Sequence, residues 1–478
     1  MRKNSLVSAM QTENTLTENG MVTNSSSLDS CVNLFFQIGA MRGQDKARII
    51  AAFSKAFAED SLTAIKLAFW GRDIRGGAGE RKIFREICSY LAEKHSDIAK
   101  LNLAQIPEYG RWDDLLVFVG TALENDALVL IAEGLKANNA LCAKWMPRPH
   151  VVDKTKKAQA NALRKFLGLS PKEYRHLLSK MSNTVEQKMC SKNWDGIEYS
   201  KLPSKAISGY MKAFGKRDYE RFTKYLDSLK KGETKINAGA VYQYDIVKNL
   251  RHGNSNGADA QWKALPNFLE GGKERLLPIC DVSGSMQGVP VSGDITAMDI
   301  CISLGLYISE RNEGIFKDAF VTFSSNPQLQ YTKGSLSDRY RQLHSAEWGM
   351  STDLERTFAM ILNQAVKHNV PAEEMPTTLI IFSDMEFNSC VRSGNDTAQK
   401  MSERMYAEAG YAMPKVVFWN LQARNDNFPV QFDKSGTALV SGFSPAILKS
   451  LLTGKDFTPR SMMMEVVNSA RYENIKIN

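Results

Sequence analysis

Apolar positions recur at helical spacing through the first half of the chain and in short unbroken runs through the second. Leu62, Ile65 and Phe69 fall at i, i+3, i+7. Ile83, Phe84, Ile87, Cys88 and Leu91 keep the same period, as do Leu128, Ile131 and Leu135, and later Phe222, Tyr225, Leu226 and Leu229. Ser170-Pro171-Lys172-Glu173 reads as a helix start, with Ser as N-cap, Pro at the first helical position and Glu at the third. Strand-like alternation is scarce before residue 273. This half predicts medium helices with short loops, packed as pairs in a HEAT-like α-solenoid. The Gly/Asn-rich stretch Gly253 to Gly257 reads as a linker, and beyond it the texture changes. Leu276–Cys280, Ala319–Phe323, Thr378–Phe382, Lys415–Trp419 and Ala438–Ser441 are strand-like. Ile295–Arg311, Asp353–His368, Thr397–Ala409 and Pro445–Leu452 read as helices between them. Alternation of this kind predicts a doubly wound α/β domain with a mostly parallel sheet. The boundaries predicted are a polar, loosely ordered lead-in over 1–29, a helical domain over 30–252, a linker over 253–272 and the α/β domain over 273–478.

Composition narrows the setting. The chain has 478 residues, 43% of them hydrophobic, and no run of 18 apolar residues that would span a membrane. The start, Met1-Arg2-Lys3-Asn4-Ser5, has no apolar segment behind it and does not read as a secretion signal. Seven cysteines without paired spacing suggest free thiols, so a reducing, cytoplasmic location is expected. Net charge is +9, and residues 151–250 alone hold 21 Lys and Arg against 10 Asp and Glu. A basic surplus confined to one segment is a footprint for polyanion binding, or else a solvated helical surface.

Candidate chemistry collects at the ends of two predicted strands. Leu276–Cys280 stops at Asp281, and Ser283 and Ser285 follow at alternate positions. One carboxylate and two hydroxyls around a point suit a hard divalent cation. Asp281-x-Ser283-x-Ser285 resembles the metal-ion-dependent adhesion site of von Willebrand factor A domains. That pattern also uses a Thr in a later loop, matched by Thr352, and an Asp after a later strand, matched by Asp384. The resemblance implies Mg²⁺ or Mn²⁺ held directly by Ser283, Ser285 and Thr352 and through water by Asp281 and Asp384. It also implies an ion left electrophilic toward a carboxylate of an acidic protein partner or of this chain. The competing reading keeps the motif for turn geometry alone.

Three stretches of the helical half are more distinctive than generic helix: Arg72 to Arg81, with its glycines at 76, 77 and 79; Ile106 to Leu116, containing Tyr109-Gly110-Arg111-Trp112-Asp113-Asp114; and Ala143 to Arg148. With the A-type pattern behind them, and with Ser441 to Leu452 at its end, they resemble the TROVE-domain or Ro ribonucleoprotein family, especially a branch found in bacteria, phages and plants. The resemblance covers roughly residues 30–465. It implies a ring of paired helices closed by the A-type domain, with RNA on the outer face and in the hole. Arg72, Arg75 and Arg81 are expected to point outward, toward phosphate or toward Asp73 and Glu80.

The RNA-binding candidates are basic residues near aromatics: Lys144, Trp145 and Arg148 at a helix end; the cluster Lys154, Lys156, Lys157; Arg175; and Lys205, Lys212 and Lys216 at i, i+7, i+11, with Trp194 nearby. Basic groups track phosphates while aromatics stack on bases. Tyr174, Tyr199 and Tyr210 interleave with them, although any one of these is more often core. No residue cluster supports catalytic turnover: Gly284-Ser285-Met286-Gln287-Gly288 lacks the nucleophile-elbow spacing, and no His lies in a motif. The reading is a cytoplasmic RNA-binding ribonucleoprotein component, not an enzyme, that takes small structured RNA or single-stranded ends. The alternative is a metal-dependent protein-interaction scaffold without RNA.

Overall fold

The computed structural model describes residues 14–230, 233–234, 242–251, 258–272, 274–288, 290–292, 294–323, 327–346, 352–388, 398–453 and 456–478. These fall into two compact units. One takes in the described residues up to Leu67, then Gly76–Ala78, and those from 242 to Ser469. The other holds Ala68–Arg75, the described residues between Gly79 and 240, and Ala470–Asn478.

The first unit is mixed α/β. Its strands are β1 Asn14–Leu16, β2 Val22–Asn24, β3 Leu276–Cys280, β4 Pro290–Ser292, β5 Ile295–Thr296, β6 Ala319–Thr322, β7 Leu329–Tyr331, β8 Thr378–Ser383, β9 Lys415–Asn420 and β10 Thr437–Ser441. Six of them form one sheet in the order β10-β9-β8-β3-β6-β7. All neighbours in it are parallel except β7, which runs antiparallel to β6 at the edge. β3, β6, β8 and β10 are buried along their whole length, and their unbroken apolar runs are what burial on both faces requires. Cys280 of β3 pairs with Phe382 of β8, so both strands end at the same level of the sheet. That register brings Asp281 and Asp384 to one edge.

The N-terminal stretch departs from the prediction of a loose lead-in followed by the start of a helical domain. β1 and β2 form a hairpin, and the helix Ser30–Ile38 packs on β10. This helix buries Cys31, Val32, Leu34, Phe35, Phe36 and Ile38. Apolar on nearly every side, it needs cover on more than one face, and an open helical array offers too little. Its C-cap Gly39 meets Gly442 so closely that a Cβ on Gly39 would lie 2.6 Å from the Gly442 backbone. Ser441 Oγ donates to Phe35 O at 2.6 Å and accepts from Gly39 N at 3.0 Å. Burial rather than local polarity decides where this segment goes.

The second unit is helical. Its elements include Arg81–Lys94, Glu124–Lys136, Ala140–Trp145, Lys154–Phe166, Pro171–Ser182, Ser204–Arg217 and Tyr219–Lys230. Ser170 and Glu173 form the predicted reciprocal cap. Val185, Ile197, Tyr199, Ile207, Phe214, Phe222 and Tyr225 make one apolar cluster. Arg72 is 2% exposed and turned inward, a correction to its predicted outward pose. Its Nε donates to Asp114 Oδ2 at 2.8 Å, and Arg85 Nε reaches Asp114 Oδ1 at 2.6 Å. Asp73 accepts from Arg471 Nη2 at 2.7 Å and from Tyr472 OH at 3.0 Å, which ties the segment Ala470–Asn478 into this unit. Among the described residues, no helix is long and apolar enough to cross a membrane.

Candidate metal centre and basic helical surface

Asp281 follows β3, and its amide still donates to Phe382 O at 3.0 Å, so the parallel ladder runs up to the carboxylate. The side chain is fully buried. Oδ1 accepts from Ser283 N at 3.0 Å, which closes the turn that carries the two serines. Oδ2 accepts from Ser383 Oγ at 2.6 Å. Ser283 Oγ and Ser285 Oγ lie 3.0 Å apart, and Ser285 opens the single helical turn Ser285–Gly288. Asp384 follows β8 and is 3% exposed. Its Oδ1 accepts from Glu386 N at 3.2 Å, and its Oδ2 is ion-paired with Arg424 Nη2. Between them, Met385 sits at φ +66°, a left-handed conformation that a Met rarely adopts and that turns the chain sharply beyond the strand.

Thr352 is 3% exposed and directly precedes Asp353, the N-cap of the helix Leu354–Lys367. Thr352 O accepts from Asn388 N at 3.0 Å, which fastens its loop to the segment beyond Asp384. The loop residues Gly349, Met350 and Ser351 lie outside the described residues. Burial pushes the Asp281 carboxyl up to about 6, and the Asp384 charge adds to the rise. The buried setting thus disfavours the charged form of Asp281, while Asp384 beside it is ion-paired with Arg424. A donor set of hydroxyl and carboxylate oxygens is the chemistry that a hard cation takes. Among the described residues, no three His, Cys, Asp or Glu side chains converge as a metal cluster, so any ion here would depend on the serine and threonine oxygens.

In the helical unit, Lys154, Lys156 and Lys157 are all exposed on the first turn of Lys154–Phe166, where Lys156 Nζ lies 3.7 Å from Asp153. Arg175 is exposed on Pro171–Ser182. Lys205, Lys212 and Lys216 share the helix Ser204–Arg217, which runs through Gly215 without a break. Lys212 and Lys216 are exposed, while the Lys205 side chain lies outside the described residues. The residues around 145 are engaged otherwise. Arg111 stacks over the Trp145 ring at 3.8 Å, Lys144 Nζ lies 5.5 Å from the same ring and 3.8 Å from Glu186, and Arg148 Nη1 caps Met146 O at 2.9 Å. Trp194 is half-buried against the apolar cluster; Tyr174 and Tyr199 are buried, and Tyr210 OH donates to Glu186 at 3.1 Å. The exposed cations and the aromatics therefore part company: the cations face water and the rings face protein.

Residues 17–139 and 131–270 match the family described as "Domain of unknown function (DUF2828)", which together is more than half of the chain. The chain belongs to the DUF2828 family. Residues 276–476 match a second family, "Domain of unknown function (DUF7788)". An uncharacterised protein of Acanthamoeba polyphaga mimivirus is 31% identical over 516 aligned positions, covering 97% of this chain and 88% of that protein. The DUF2828 match runs through both compact units, since its first fifty residues belong with the sheet.

Three residues of the strand-end site in this DUF2828 chain escaped the reading of the sequence. Ser383 is the last residue of β8, and a hydroxyl closing an apolar run was a visible signal. Arg424 follows β9, and its place beside Asp384 depends on strand order, which local sequence does not carry. Glu386 accepts from Glu18 N at 2.7 Å and from Asn425 and Asn427 Nδ2 at 2.9 and 2.8 Å. That network joins positions up to four hundred residues apart and leaves no local pattern.

Proposed function

We propose that this chain is an RNA-binding ribonucleoprotein component whose sheet unit is a von Willebrand factor A-type domain with a Mg²⁺ or Mn²⁺ adhesion site. The observation that carries the metal reading is the pair of buried carboxylates, Asp281 and Asp384, at the C-terminal ends of adjacent parallel strands. Ligand sites of open parallel sheets lie beyond those ends. Ser283, Ser285 and Thr352 would supply neutral oxygens to the ion, which would supply a Lewis-acidic coordination position for a partner's carboxylate. RNA binding is supported by the exposed Lys154, Lys156, Lys157, Arg175, Lys212 and Lys216, all within the basic segment. The helical unit is read as a HEAT-like array of the TROVE type. No residue is assigned a catalytic role.

A second reading has a specific observation behind it. Trp145 is covered by Arg111, and Trp194 packs against the core, so neither presents an open ring for a base. Charge without stacking suits the backbone of any polyanion, and it also suits an acidic protein. On that reading the chain is a metal-dependent interaction scaffold without RNA. Sequencing RNA crosslinked to the protein in its own cell separates the two. Recovered, enriched transcripts support the first reading; their absence, with divalent-dependent capture of an acidic protein, supports the second.

A further inference from the structure

The strand-end site already holds a cation of the protein's own. Arg424 lies in the turn after β9, 24% exposed, with its guanidinium on Asp384 Oδ2. Asp384 Oδ1 is taken by Glu386 N, so both of its oxygens are engaged. Among the described residues, Arg424 Nε is buried without a hydrogen-bond partner, and the guanidinium's contact is the one with Asp384. The turn that carries it is anchored from several sides. Ala423 N donates to Ala40 O at 3.1 Å, Gln44 Nε2 donates to Ala423 O at 3.0 Å, and Arg48 donates to Arg424 O and to Asp426. Asn425 Nδ2 bridges Glu18 and Glu386 at 2.9 Å each. The backbone is thus fixed while the side chain reaches the site from its rim.

We infer that Arg424 is the resident counter-ion of Asp384, and that a divalent cation enters this site only by displacing its guanidinium. The inference rests on the metal reading above. The physical reason is charge. Asp281 and Asp384 together offer two negative charges to an ion. A guanidinium fixed on Asp384 cancels one of them and repels the incoming dication across a few ångströms of low-dielectric interior. Both cations cannot share one buried carboxylate cheaply, so occupancy is exclusive. Arg424 then sets the affinity. It keeps the site neutralised when divalent cation is scarce, and on exchange it swings a positive charge out to the rim, where a partner's carboxylate would arrive. Its fixed backbone and partly exposed side chain give that movement a hinge at the side-chain torsions alone.

The test is Mn²⁺ titration of the full chain, followed by the paramagnetic signal of free Mn²⁺ and by the thermal midpoint, for the wild type, Arg424→Gln, Arg424→Lys and Asp281→Ala. Arg424→Gln should bind Mn²⁺ roughly tenfold tighter or more than the wild type, because a like charge has been removed from beside the ion. Arg424→Lys retains the charge but on a compact, more strongly hydrated ammonium that leaves Asp384 more readily, so it should fall between them. Asp281→Ala should not bind. Equal or weaker binding by a folded Arg424→Gln, with Asp281→Ala still inactive, overturns the exchange and leaves the metal site standing. Should neither the wild type nor either Arg424 variant bind Mn²⁺, both the exchange and the metal reading fall. If Arg424→Gln does not fold, Arg424→Lys decides alone: wild-type affinity or weaker overturns the inference.

Discussion

Each unit buries an aspartate behind a wall of donors, but the donors differ. In the helical unit Asp114 is met by two guanidiniums, those of Arg72 and Arg85, and by the amide of Arg111. In the sheet unit Asp281 is met by the amide of Ser283 and the hydroxyl of Ser383, both neutral. The first carboxylate is balanced in place, and its network reads as architecture. The second is short of positive charge, and burial raises its affinity for a proton. A fold that neutralises one buried acid with arginines can neutralise another. Among the described residues no arginine meets Asp281, and the proposed metal site rests on that difference. Equal burial therefore does not mean equal role; the inventory of partners separates the two.

The comparison breaks first at Asp114. Asp114→Ala leaves Arg72 buried and unpaired, and it should cost about 3–5 kcal/mol of stability. Urea denaturation measures that loss, and the midpoint shift caused by Mn²⁺ should survive wherever the variant folds. A mild effect, well under 1 kcal/mol, would mean that the arginines find other partners and that the two sites are not so different.

Asp281 should show the opposite sign of pH dependence from an ion-paired acid. Its folded pKa, about 6, lies above the ordinary carboxylate value, so protonation favours the folded state. Without divalent cation, its stabilising contribution is full below the ordinary value, near 4, and fades as pH rises through 6. At about 1.4 kcal/mol per pKa unit the loss amounts to at most about 3 kcal/mol. Mn²⁺ should restore the stability above pH 6 and do little at pH 4.5, because a bound ion needs the deprotonated form. Thermal melts across pH 4.5–7.5 with Mn²⁺ or EDTA check this. Asp281→Asn should flatten both curves, and a metal effect that is equal at both ends would place the ion elsewhere.

Trp194 divides packing from stacking. Half-buried against the apolar cluster, it should lose about 1–2 kcal/mol of fold stability on change to Ala. RNA affinity measured well below the melting point should then change little. A loss of RNA binding worth about 1–3 kcal/mol at unchanged stability would restore it as a stacking platform. The smallest effect on the fold belongs to Lys212→Gln with Lys216→Gln. Stability should stay within about 0.5 kcal/mol. The slope of log K against log salt for single-stranded RNA should flatten by roughly 1.4, two phosphate contacts at about 0.7 each. An unchanged slope would make this helix face a solvated surface.

What could be read ahead of the structure follows from how far each cause lies along the chain. The parallel strands announce themselves because burial on both faces demands unbroken apolar runs; Leu276–Cys280 is a strand over the span expected, and Thr378–Ser383 runs one residue further. Asp281 and Asp384 were legible because acids at strand ends are a local pattern, and register then brought them level. β7 was not, since Leu329–Tyr331 is a short, largely exposed edge strand without a two-sided burial signature. The N-terminal hairpin was missed because its polar residues are spent on partners far away: Thr17 Oγ1 donates to Phe387 O at 2.6 Å and Asn24 Nδ2 to Phe428 O at 2.8 Å. Arg424 belongs to the same class. Conversely, aromatics interleaved with lysines looked like a nucleic-acid surface, and the apolar cluster claimed Tyr199 and Trp194 instead.

The closing contacts on Asp73 set an order of events during synthesis. Its partners Arg471 and Tyr472 leave the ribosome 398 and 399 positions later. At about 5–20 residues per second, that is a wait of roughly 20–80 s. Throughout it the carboxylate has neither its guanidinium nor its phenol, and a charge in that state stays hydrated rather than buried. The helical unit therefore reaches its final form only after every strand of the sheet has been made. A polypeptide stalled anywhere before residue 471 would expose a helical unit with Asp73 still unpaired to whatever chaperone or protease patrols the exit.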